Sequence, residues 1–157
     1  MKKFIQQKLK DQKGMTLIEL LAVIVIIAII AAIAIPAIGN IIENSRLSAV
    51  KSDATNGISA ANIFFTENPT ETTASAKDLI DAGYLDAAGK LPATTDGVAA
   101  AAGVTVFTNT NPIKISTPAI PFSSSGNVTF TGATTDGITS NAIKGSAVTA
   151  AGLTINN

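Results

Sequence analysis

Glu19 is the residue of this 157-residue chain whose setting asks for a chemical role. It lies in the run MTLIELLAVIVIIAIIAAIAIPAI, residues 15–38, which is otherwise interrupted only by Thr16 and Pro36. The last basic residue before it is Lys13 and the next one after it is Arg46. A carboxylate in hydrocarbon costs up to about 3 kcal/mol at mid-bilayer and less near a helix end, so it usually marks a function. Two uses are open to it. It can pair with a cation brought to it, or lie at a membrane–water interface where its cost is small.

No other constellation competes. The chain has neither cysteine nor histidine, which removes disulfides, thiolate metal sites and the usual proton shuttle. Lys77, Asp78 and Asp81 read as a solvated helix face, and no nucleophile has a base beside it. Asp96 and Asp136 sit in the echoing pair TTDGV and TTDGI, residues 94–98 and 134–138. Further oxygen ligands at calcium-loop spacing are missing around both, so Asp-Gly is read as a tight turn. Asn127 heads a formal glycosylation sequon, NVT, a weak signal. No enzyme, catalytic residue, cofactor or metal site is expected.

Charge is balanced overall and uneven locally. Residues 1–14 hold five lysines against Asp11, a surplus of four. That leaves 6 of the 11 basic residues and 10 of the 11 acidic ones for the remainder. No basic stripe survives past the N-terminus, which gives direct nucleic-acid binding little support.

The elements that must position Glu19 follow from the apolar pattern. As a helix, the 24 residues 15–38 would reach about 36 Å, enough for a hydrocarbon core of about 30 Å. The run passes into an amphipathic stripe, Ile38, Ile41, Ile42, Leu47, Val50, Ala54, Ile58, Ala61 and Phe65, at helical spacing. Pro36, with Gly39 close by, is the expected kink, and Asn68-Pro69 the expected stop. A short helix should follow, capped by Ser75 or Thr73, with Leu79 and Ile80 inward and Gly83 ending it. VTVFTN, IKIS, NVTFTG and SAVTAAGLTIN then predict three or four antiparallel strands. The fold class is therefore α+β, a long N-terminal helix packed on a small antiparallel sheet.

A secretory signal peptide fits poorly, because the apolar run exceeds an h-region of about 7–15 residues. A plain membrane anchor fits the topology and leaves Glu19 without a role. KGMTLIELLAVIVIIAIIAAIAIP, residues 13–36, closely resembles the class III signal and N-terminal helix of type IV pilins and pseudopilins. The resemblance is tight to about residue 42 and looser through LIDAGYL, residues 79–85, a segment similar to one in Gram-positive members.

That resemblance implies three parts: a leader, 1–14; a membrane-spanning and filament-core helix, 15–39; and a soluble head, 40–157. The head divides into a helix half at 40–66, a loop with a short helix at 67–90 and a sheet region at 91–157. It also implies cleavage after Gly14 by a prepilin peptidase and N-methylation of Met15, where the family usually has Phe. Glu19 would serve assembly with Thr16 and Leu17, meeting the Met15 amine of a neighbouring subunit. The implied partners are further copies in a helical homopolymer, membrane lipid before assembly, a platform protein and an assembly ATPase. The implied location is the cytoplasmic membrane, N-terminus inside, and then a surface filament. A pseudopilin of a type II secretion or competence system is the alternative. The C-terminal cysteine pair of many Gram-negative pilins has no counterpart here.

Overall fold

The computed structural model describes residues 17–93, 103–124, 126–149 and 151–156. Helix α1, Leu17–Glu67, occupies 51 residues and continues through Pro36 and Gly39. The chain divides into two compact units between Gly39 and Asn40.

In the first unit, the described helix turns carry large apolar side chains on every face. No residue from Leu17 to Gly39 is buried. In the second unit the pattern narrows to one stripe. Leu47, Val50, Ala54, Gly57, Ile58, Ala61 and Phe65 are buried, at the three- and four-residue steps that keep one helix face inward. Ile38, Ile41 and Ile42, predicted to lead that stripe, are exposed instead. α1 ends at Glu67, ahead of Asn68-Pro69, as proline's restriction on its predecessor requires.

The stripe faces two small sheets. The first is β1 (Thr73–Ser75), β2 (Val106–Thr108) and β3 (Lys114–Ser116), all antiparallel. Ala74, Phe107 and Ile115 stand in register across it, each at most 3% exposed, and form one inward row. The second is β4 (Ile120–Pro121), β5 (Asn127–Phe130) and β6 (Leu153–Ile155). The β4–β5 pair is antiparallel; the β5–β6 pair is parallel, which differs from the all-antiparallel expectation. A parallel neighbour needs a crossover. Here it contains helix α3, Thr135–Ser140, and a single 3₁₀ turn, Gly145–Ala147. The sheets meet where Ile115 bridges Ala133 and where the Thr117 amide donates to the Phe130 carbonyl.

Helix α2, Ala76–Asp81, starts at Ser75 rather than Thr73. The Ser75 hydroxyl accepts from the Asp78 amide while the Asp78 carboxylate accepts from the Ser75 amide, a closed capping box. Leu79 is fully buried, Ile80 is partly buried, and Gly83 takes a positive φ of 80° just beyond the helix. The TTDGI segment is not a hairpin turn. Thr134 caps α3, its hydroxyl accepting from the Gly137 amide, so Asp136 and Gly137 form a first helical turn. Residues 94–98, the matching segment, lie outside the described residues.

Candidate processing and assembly site

The junction residues Gly14, Met15 and Thr16 lie outside the described residues. Leu17 and Glu19 are in the first turn of α1, both exposed, Leu17 at 84%. The first-turn N–H groups of a helix have no partner within it, and the peptide dipoles add a partial positive charge there. An acid at Glu19 is therefore stabilised where it stands, by about 0.3–1 kcal/mol for a surface group.

Around the carboxylate the helix is hydrocarbon. Sixteen large apolar side chains from Leu17 through Ile42 are 44–84% exposed. A helix apolar all round belongs in lipid or among other helices. By length and composition α1 can cross a membrane. Pro36 has no N–H, so one bond of the α1 ladder is missing there. Around Gly39 an added Cβ would meet nothing within 4 Å.

Residues 9–35 match the family of the prokaryotic N-terminal methylation motif. The chain carries the class III signal peptide of type IV pilin-like proteins. The matched stretch contains Gly14, Met15, Thr16, Leu17 and Glu19; Pro36 and Gly39 fall just beyond it. Searches of the curated proteins and of the solved structures return no match. The motif and the apolar helix support a pilin-like or pseudopilin protein with a membrane-anchored precursor, a structural rather than catalytic class.

The head's grip on α1 comes from residues that the sequence pattern did not single out. The Lys51 ammonium donates to the Asn141 carbonyl at 2.7 Å and to its side-chain oxygen at 3.1 Å. Burial lowers the pKa of Lys51 below its ordinary 10.5. The Ser146 amide donates to the Asn44 side chain at 3.0 Å, and Gly145 lies so close that a Cβ would stand 2.3 Å from the Glu43 carbonyl oxygen. From the other side, the Lys90 amide donates to Asp53 at 2.8 Å. At the end of α1, Tyr84 donates to the Glu67 carboxylate, and this hydrogen bond raises the phenol's pKa above 10.0. Phe64 meets Phe65 and Tyr84 edge-on, with centroids 5.5 Å apart in both cases. Of these, Glu43, Lys51 and Asp53 show in the sequence only as positions that fall off the apolar stripe of α1.

Proposed function

We propose that this chain is the repeating structural subunit of a type IV pilus or a closely related filament. The observation that carries the reading is the four-residue offset between the Gly14–Met15 junction and Glu19, at the head of an apolar helix. A prepilin peptidase cuts after Gly14, removes the four surplus charges of the leader and frees an α-amine on Met15, which is then methylated. Before the cut, the basic leader holds the N-terminus on the cytoplasmic side. After it, the subunit passes from lipid into a bundle of its own helices, driven by a platform protein and an assembly ATPase.

In that bundle Glu19 of one subunit meets the Met15 amine of a neighbour displaced along the axis. Thr16 and Leu17 lie beside the pair. A buried ion pair adds little net stability, but removing one partner costs about 3–5 kcal/mol, so the pair fixes the stagger. Pro36 and Gly39 form the flexible zone of the rod, where the helix bends to fit its neighbours.

The experiment is to replace Glu19 by Ala and by Gln and to measure processing and filament yield separately. Mass spectrometry should find a mature, methylated Met15 terminus in both variants, while electron microscopy should find filaments reduced at least tenfold. Normal filaments from both variants would sink the pairing. Short cell-wall or periplasmic assemblies in place of long surface filaments would assign the chain to the pseudopilins.

A further inference from the structure

The head unit contains an open cleft of about 390 Å³ between α1 and the loop after β4. Val50 and Phe122 line its apolar floor, and Ala49 lies on its α1 wall. Two cations line it as well, Arg46 and Lys90. Both are exposed, and among the described residues neither side chain makes an ion pair or a hydrogen bond. A guanidinium beside an ammonium, with aliphatic and aromatic surface beneath, fits a carboxylate on a short apolar stem.

The remaining charges of the chain indicate where such carboxylates come from. Residues 67–86 hold Glu67, Glu71, Asp78, Asp81 and Asp86 against Lys77, a surplus of four negative charges. The rest of the chain from residue 15 onward holds five acids and five bases, Arg46 and Lys90 among them. The whole net charge of the mature chain is thus confined to one twenty-residue segment. Three of its acids are engaged within the subunit: Glu67 with Tyr84, Asp78 with Ser75, and Asp81 with Lys77 at 2.6 Å. Glu71 and Asp86 are exposed, and their carboxylates have no partner among the described residues.

We propose that the Arg46–Lys90 cleft of one subunit receives the acidic segment of a second copy of this chain, through Glu71 or Asp86. This rests on the filament reading above. Identical subunits of net charge −4 repel one another when stacked, and docking the acidic segment on the cleft turns that repulsion into attraction. The cleft lining and the acidic residues are different sets of residues. In a filament each subunit can therefore offer its acidic segment to one neighbour and its cleft to the next. It therefore adds a contact between heads to the one made by the apolar helices.

The absence of cysteine makes the contact directly testable. Two full-length chains are co-expressed, one carrying Ala49→Cys at the exposed cleft wall, the other Glu71→Cys or Asp86→Cys. Purified filaments are then treated with a short thiol crosslinker. A heterodimer is expected with at least one of the two acidic positions, and not with Thr139→Cys on the exposed side of α3. Adding Arg46→Glu and Lys90→Glu to the cleft chain should cut that crosslink at least tenfold, and raised salt should weaken it. Filaments that form normally while neither acidic position crosslinks would overturn the docking and leave the filament reading intact. Failure of the unsubstituted chain to form any filament would overturn the filament reading, and this inference with it.

Discussion

At Gly57, α1 packs directly against Phe107 of the first sheet, and replacing this glycine tests how the head is built. A Cβ added there would stand 2.7 Å from Phe107 Cζ, 3.1 Å from its Cε1 and 3.2 Å from Leu91 Cδ1. Phe107 is fully buried in the middle strand, paired with Ala74 on one side and Ile115 on the other. Its ring therefore has no open space to swing into. Two terms oppose each other in Gly57→Ala. Alanine is the better helix former by about 1 kcal/mol. Overpacking a filled core costs about 1–3 kcal/mol. The clash involves a rigid ring rather than the far end of a flexible chain, so the second term should win and leave the head about 1 kcal/mol less stable.

At Gly39 the same substitution meets nothing, and only the helix-propensity gain remains. For a head of this size, 1 kcal/mol corresponds to a fall of about 4 °C in the Tm of Gly57→Ala, measured by circular dichroism in detergent. Gly39→Ala should leave that Tm unchanged and slow amide exchange around residue 39 up to about fivefold. Pairing Gly57→Ala with Phe107→Leu, which removes the clashing Cζ, should lose about 1 kcal/mol less than the two single variants added together. A Gly57→Ala head as stable as the parent, or more so, would refute the close helix–sheet approach.

Tyr84 is the single tyrosine, so its phenolate absorbance reports one site. The midpoint should lie above 10.0, and Glu67→Gln should lower it, because the hydrogen bond to Glu67 is the largest cause of the rise. Since the folded pKa is raised, this bond's contribution is present at pH values below 10 and is lost as pH climbs through the folded value; a head whose stability rises across that window through Tyr84 would contradict this. Ser75→Ala removes the α2 cap and should cost about 1 kcal/mol in thermal unfolding, whereas Thr73→Ala leaves the capping box untouched.

Much of the fold can be read from spacing. The buried stripe from Leu47 to Phe65, the stop before Pro69, the Ser75 cap and the strands in VTVFTN, IKIS, NVTFTG and the C-terminal segment all follow from local pattern. What pattern did not reveal has a common cause. β1 and β4 are three and two residues long, too short to show a period, and β4 includes a proline. Their strand character comes from the partner beside them. Asp136-Gly137 suits a tight turn as well as a first helical turn, and only the Thr134 cap decides between them. The parallel β5–β6 pair depends on where the crossover lands. Similarly, Glu19 was legible because the Gly14–Met15 junction, on which its proposed role depends, lies only four residues away in the chain. The Arg46–Lys90 cleft was not, because Phe122 and Pro121 complete it from distant sequence.

The passage of α1 from one environment to another can also be located by residue. Ile38, Ile41 and Ile42 continue the apolar surface past Pro36 and remain exposed, so the helix still asks for an apolar partner at Ile42. At the next residues the demand reverses. Glu43 and Asn44 are half-buried, held by Gly145 against the Glu43 carbonyl and by the Ser146 amide on Asn44. Leu47 is the first buried apolar residue, and Lys51 is tied to Asn141. The residues that grip α1 at this boundary come from 141–146, nearly a hundred positions further on, so no local propensity sets it. A helix propensity that runs unbroken through Ile42 and Glu43 cannot distinguish them; the C-terminal loop does. Substitutions at Ile41 and Ile42 should therefore act on contacts outside the subunit, and substitutions at Asn44 and Lys51 on the stability of the head.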